Sequence, residues 1–213
     1  MDNKKQYLDS INEIRSIMER SSKFLSLSGL SGIAAGITAT IAGAIVYFTP
    51  NFGISELSSD LAFDTILPTH RIINYLLLGL ATFCIAITLA FLFTQRNAKS
   101  KSLPIWDKTT KSLSIELALP LTVGGLFVLI QLFYYKIIVL AAPTMLIFYG
   151  LALFSASKYT VSDTRWLGIA EILLGIIALI YFGYGLLYWI IGFGLFHIVY
   201  GTILYIKYDR KKN

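Results

Sequence analysis

Two ionisable side chains, Glu171 and His197, stand in stretches of sequence that are otherwise almost wholly apolar. A carboxylate beside an imidazole can hold or pass a proton, or share a cation, because histidine titrates near neutrality and a neighbouring carboxylate tunes it. The same pair can also do nothing more than hydrogen-bond and fasten two helices. Their settings match. Gly168 and Gly175 flank Glu171 at offsets of three and four, and Gly194 and Gly201 flank His197 in the same way. Such offsets share one helix face. Tyr184 is 13 positions from each polar residue, so on antiparallel helices both lie about 20 Å from that turn at 1.5 Å per residue. The spacing predicts that two glycine-lined faces meet and bring carboxylate and imidazole together.

Other chemistries lack their residues. The chain contains no HExxH, no GxSxG and no glycine-rich phosphate loop, so no catalytic residue is expected. Its one cysteine, Cys84, can form neither an internal disulfide nor a thiolate metal site. The second histidine, His70, falls in a connection away from the depth of His197, which disfavours a haem. The sequence calls for no metal and no cofactor.

The elements that must position the pair follow from composition. Of 213 residues, 56% are hydrophobic and 14% charged, with mean hydropathy +0.69. A soluble domain carries about a quarter charged residues, so the apolar excess must face lipid. Apolar stretches long enough to cross about 30 Å of hydrocarbon recur near residues 25–48, 72–94, 115–133, 137–155, 165–182 and 185–205. The third and fourth are divided at Tyr134-Tyr135-Lys136. No barrel-like alternation accompanies them, and helices satisfy their own backbone in lipid. The expected fold class is all-α, a polytopic membrane protein with a bundle of six transmembrane helices. An N-terminal amphipathic cytoplasmic helix (residues 1–24) precedes a membrane domain (25–208) and a basic tail (209–213). A cleaved signal peptide is not expected, because the first apolar stretch is longer than the roughly 7–15 residues such peptides use.

Of the 18 lysines and arginines, only Arg71 and Lys136 fall on one side of this layout. The rest lie before the first span, between the second and third, between the fourth and fifth, and after the sixth. The positive-inside rule then places both termini in the cytoplasm. The net charge of +6 thus needs no nucleic acid to explain it; the lipid bilayer is the partner expected. Tyr134, Tyr135, Tyr181, Tyr184, Tyr188 and Trp189 gather at the outer ends, with Trp106 and Trp166 near the inner face, as interfacial anchors do.

Within residues 3–20, Tyr7, Ile11, Ile14 and Met18 share a face and polar residues occupy much of the rest. That segment suits a helix lying on the inner leaflet, or one that pairs the chain with a second copy or with a membrane or cytoplasmic protein. Ile54, Leu57, Leu61 and Ile66 suggest a short interfacial helix in the outer loop. The basic loop at 95–111 suits anionic lipid. In span one Ser28, Gly32, Gly36, Thr40 and Ala44 recur every fourth residue, a stripe that lets another helix approach closely. Pro120 and Pro143 are expected to kink spans three and four. Glu116 and Lys136 can reach headgroups, and Gln131 lies close to the outer surface. A faint repeat relates residues 147–153 to 198–204, and Gly124 to Gly175, at a shared offset of 51. Duplicated hairpins or a biased composition both account for it.

Residues 14–22, Ile-Arg-Ser-Ile-Met-Glu-Arg-Ser-Ser, and 27–32, Leu-Ser-Gly-Leu-Ser-Gly, resemble a group of small bacterial inner-membrane proteins of no known activity. The resemblance implies a bacterial inner membrane and assigns no site residue. Together these features favour a non-enzymatic regulatory, sensory or scaffolding component. The alternative is a small proton-coupled transporter or channel using Glu171 and His197.

Overall fold

Hydrocarbon offers a backbone no hydrogen-bond partners, so a chain this apolar is driven to pair its own amides. The computed structural model describes residues 24, 27–49, 68–101, 105–181 and 183–210, and among these the chain is 84% helical with no strand. Six helices follow in order: α1 (Gly29–Phe48), α2 (Thr69–Ser100), α3 (Lys108–Phe133), α4 (Ala141–Ala156), α5 (Asp163–Ile180) and α6 (Gly185–Asp209). The amphipathic segment 3–20, most of the 50–71 loop and the last three residues lie outside the described part.

Four helices, α1, α2, α3 and α6, are long and apolar enough to cross a membrane. At 16 residues α4 is short, and α5 carries Asp163, Arg165 and Glu171 in its 18 residues. The most telling helix is α2. Its 32 residues reach about 48 Å, yet Leu77, Leu80 and Phe83 are all more than half exposed. Packing that leaves so much apolar surface outside is what a lipid-facing helix shows, since in water it would collapse or aggregate. α2, α3 and α6 run past the apolar stretches read from sequence. Asp107 accepts the Thr110 amide at 2.7 Å and so starts α3 seven residues before the first apolar stretch of that span.

The chain breaks between α3 and α4 where Tyr134, Tyr135 and Lys136 stand. Lys136 takes a left-handed backbone (φ 59°), and the Ile137 amide returns to the Gln131 carbonyl at 2.9 Å, a closure that ends α3. Residues 137–140 are not helical, so α4 begins later than the apolar stretch does. Pro143 is the third residue of α4. There its missing N–H would have had no intrahelical partner, so the expected kink in this helix is replaced by a helix start.

Packing proceeds from α2 to α1, α1 to α6, α6 to α5 and α4, and α4 to α3. The small-residue stripe of α1 begins on the α6 contact and leaves it. Gly29, Gly32 and Gly36 face Gly201, His197 and Gly194, while Thr40 only edges Gly194 and is exposed, and Ala44 is half-buried. A four-residue step overshoots the helix repeat by about 40°, so the face passes to Ala39, Gly43 and Val46.

Asp209, expected in a free tail, instead closes the charged end of the bundle. Its carboxylate accepts from the Gly29 amide (2.7 Å), the Ser28 hydroxyl (3.1 Å), Asn97 (3.0 Å) and Lys101 (2.9 Å). It is thus the cap that α1 lacks locally, supplied from the far end of the sequence. Asp209→Asn removes the charge facing Lys101 and the helix start. A loss of about 1–2 kcal/mol is expected, given what hydrogen bonds to charged groups contribute. Thermal unfolding in detergent reads it; an unchanged midpoint would show the cap to be idle.

Candidate functional site

Glu171 sits two turns into α5 and has no exposed surface. Space for it comes from α6, where a Cβ on Gly192 would lie 2.5 Å from Glu171 Oε2. It would also lie 2.4 Å from Leu146 Cδ2, so a larger residue there would displace both side chains. His197, also on α6, is 6% exposed, and its Nδ1 lies 3.6 Å from Glu171 Oε1. That separation is too long for a hydrogen bond.

The imidazole has other partners. Nδ1 donates to the Gly192 carbonyl at 3.0 Å, and Nε2 is 2.6 Å from the Tyr149 hydroxyl of α4. A carbonyl only accepts, so in the neutral ring Nδ1 carries the proton and Nε2 accepts from Tyr149. The ring also lies among aromatic neighbours. His197 is 5.3 Å from Tyr149 and 6.2 Å from Phe193, and Phe193 in turn packs on Trp189 at 5.4 Å. Residues Ile190–Phe196 form wide π-helical turns, an irregularity that often marks functional positions.

Glu171 is the exception in this satisfied setting. Neither Oε1 nor Oε2 has a hydrogen-bond partner. Buried polar groups are nearly always paired. A carboxyl left so must carry its own proton, or meet a cation or donor when it does not. A small rotation of either side chain would bring Oε1 and Nδ1 into bonding distance. The geometry therefore offers one proton two resting places, on the carboxyl or shared with the ring.

The route by which the two residues meet differs from the one the spacing predicts. Gly168 and Gly175 face α4, where Gly168 meets Gly150 and Gly175 meets Ile147 and the Pro143 carbonyl. Gly194 and Gly201 face α1. The two glycine faces never touch each other. Glycine is needed where backbones pack directly, which here is α4 on α5 and α1 on α6. The α5–α6 contact is left wider, and the polar side chains occupy it.

The other buried polar side chains among the described residues are paired. Thr164 and Tyr200 share a 2.6 Å hydrogen bond between α5 and α6. Gln131, two residues before the end of α3, is buried and donates to Thr144 at 3.1 Å. Glu116 accepts from Ser155 at 2.5 Å instead of reaching for headgroups. Tyr149 and Gly192 were not candidates from sequence. For Tyr149 a signal existed, since it aligns with Tyr200 in the 51-residue repeat; for Gly192 there was none. Among the described residues no three His, Cys, Asp or Glu side chains gather as metal ligands would. Searches of protein-family models, curated proteins and solved structures return no match to this chain, so its own geometry is what assigns the site.

Proposed function

We propose that the chain is a bacterial inner-membrane protein that crosses the bilayer six times with both ends cytoplasmic. In this reading it is a non-enzymatic sensory or regulatory component whose state follows the proton between Glu171 and His197. One observation carries the proposal: a fully buried carboxyl with both oxygens unpartnered, set against a histidine whose own bonds are filled. A residue kept only to fasten helices would be hydrogen-bonded, as Gln131 is to Thr144. Natural proteins hold such unfavourable groups chiefly where function needs them. The basic residues of the inner loops and the resemblance at residues 14–32 support the membrane and orientation. The amphipathic segment 3–20 is the natural output, either to a partner protein or to a second copy.

The second reading, a proton-coupled transporter or channel, draws on the depth of the same pair. Against it stands the complete enclosure of Glu171.

Trp189 reports on the pair through Phe193. With Trp106 and Trp166 changed to phenylalanine, the emission of Trp189 in liposomes should shift as pH is carried across the range in which Glu171 gains and loses its proton. In Glu171→Gln the shift should vanish. A pH-sensitive dye trapped in the same liposomes should show no flux above protein-free vesicles. Flux that Glu171→Gln abolishes would award the site to transport, and a pH-silent Trp189 would remove the sensory reading.

A further inference from the structure

A buried proton site must communicate with water on one side, on both or on neither, and the side chains around Glu171 differ sharply between the two directions. Toward the end of the bundle where Asp163 binds Lys207 and Tyr208, hydroxyl side chains stand on α4, α5 and α6. Thr164 is the second residue of α5 and is bonded to Tyr200. Tyr200 lies three residues from His197, hence one turn away on a shared face of α6. Tyr149 then meets Nε2 of His197. Toward the opposite end the inward side chains are Leu146, Leu174 and Ala178, each buried, together with Pro143. The one buried hydroxyl at that level, Thr144, is bonded to Gln131. Phe193 stacks on the ring on this side and Trp189 packs on Phe193.

We propose that protons reach Glu171 and His197 from the Asp163–Lys207 end alone, through Thr164, Tyr200 and Tyr149, and that the opposite end is sealed. The inference rests on the proton-responsive reading above and adds its sidedness. With the cytoplasmic orientation, the protein reports the pH of the cell interior.

The relay balances. Tyr149 passes its hydroxyl proton to Nε2 and regains one from the Tyr200 side, while the Nδ1 proton crosses to Glu171 Oε1. One proton has then moved inward, the ring has changed tautomer, and Glu171 has become neutral. The acceptor is the ionised carboxylate with Oε1 turned from 3.6 Å into bonding distance of Nδ1; once protonated, the carboxyl stands unpartnered as the structure has it. The titratable groups facing Glu171 are Tyr149 from α4 and His197 from α6, with Tyr200 and the half-buried Tyr188 a turn from His197 and Gly192 on the same helix. On α5 itself the others are Asp163 and Arg165 at its start, and α1, packed behind α6, contributes only Tyr47 near its end.

The test uses the full chain in sealed vesicles of known orientation, with the carboxyl C=O infrared band of Glu171 identified by its loss in Glu171→Gln. A pH jump on the Asp163 side should change the band, and the same jump on the other side should not. Tyr200→Phe and Thr164→Val should each slow the change at least about tenfold, in line with what a positioned proton-transfer group contributes. Their unchanged final amplitude would show that both variants fold. A band that follows pH from the opposite side, or variants that respond at the wild-type rate, would overturn the one-sided path while leaving the sensory reading standing. A Glu171 band that responds to neither side would overturn both.

Discussion

Gly201→Leu is expected to be strongly destabilising, parting α6 from α1. A Cβ at this position would lie 2.6 Å from the Gly29 carbonyl and 2.9 Å from the carbonyl carbon of Gly32. These are main-chain atoms of a neighbouring helix, so no rotamer change relieves them. The contact is reciprocal, since a Cβ on Gly29 would meet the Gly201 carbonyl at 2.5 Å. Inserting side-chain bulk into a packed core commonly costs about 1–3 kcal/mol. Here the helices themselves must move, and the Asp209 cap beyond Gly201 is pulled away from Gly29 with them. A loss at or above about 3 kcal/mol is therefore expected, read as a large drop in thermal midpoint in detergent. Gly79 on α2 is the internal control, because a Cβ there meets nothing within 4 Å. Gly79→Leu should leave the midpoint nearly unchanged. Equal behaviour of the two leucine variants would mean that α1 and α6 do not pack as described.

That contrast shows what the sequence could and could not reveal. Hydropathy locates the four long apolar helices because a membrane span needs a certain length and apolarity, and the polar Tyr134-Tyr135-Lys136 falls where α3 ends. Spacing assigns residues to faces. It does not say which neighbour a face will meet. Gly168 and Gly175 share a face with Glu171, and Gly194 and Gly201 with His197, yet each glycine pair packs on a different helix. Glu171 and His197 come together in the gap that this arrangement leaves. Asp209 was invisible for a related reason, since a cap for α1 lies 180 residues away in sequence from the amide it binds. Gly192 is harder still. Its role is to leave room for a side chain on another helix, and nothing local distinguishes such a glycine from one in a packing stripe. Tyr149 and Tyr200 were within reach, because the 51-residue offset pairs them and each places its hydroxyl in a hydrogen bond across a helix contact.

The second large effect has the opposite sign and separates function from fastening. Glu171→Met replaces an unpartnered carboxyl by an apolar side chain of similar length that adapts to irregular space. A buried polar group without a partner costs about 1–3 kcal/mol, so removing it should stabilise the protein by about that amount. The thermal midpoint should rise while the pH response of Trp189 disappears. Glu171→Gln should gain less, because its amide would still be buried without a partner. His197→Ala should do the reverse and destabilise, since it deletes the bonds to Gly192 and Tyr149 and leaves a gap beside Phe193. Stability and response thus move in opposite directions at residue 171 and together at residue 197. That asymmetry is expected where one member of a pair is tolerated for what it does and the other also holds the bundle together. A Glu171→Met variant less stable than the parent would show that the carboxylate binds α5 to α6 after all, and the sensory role would then lose the observation on which it stands.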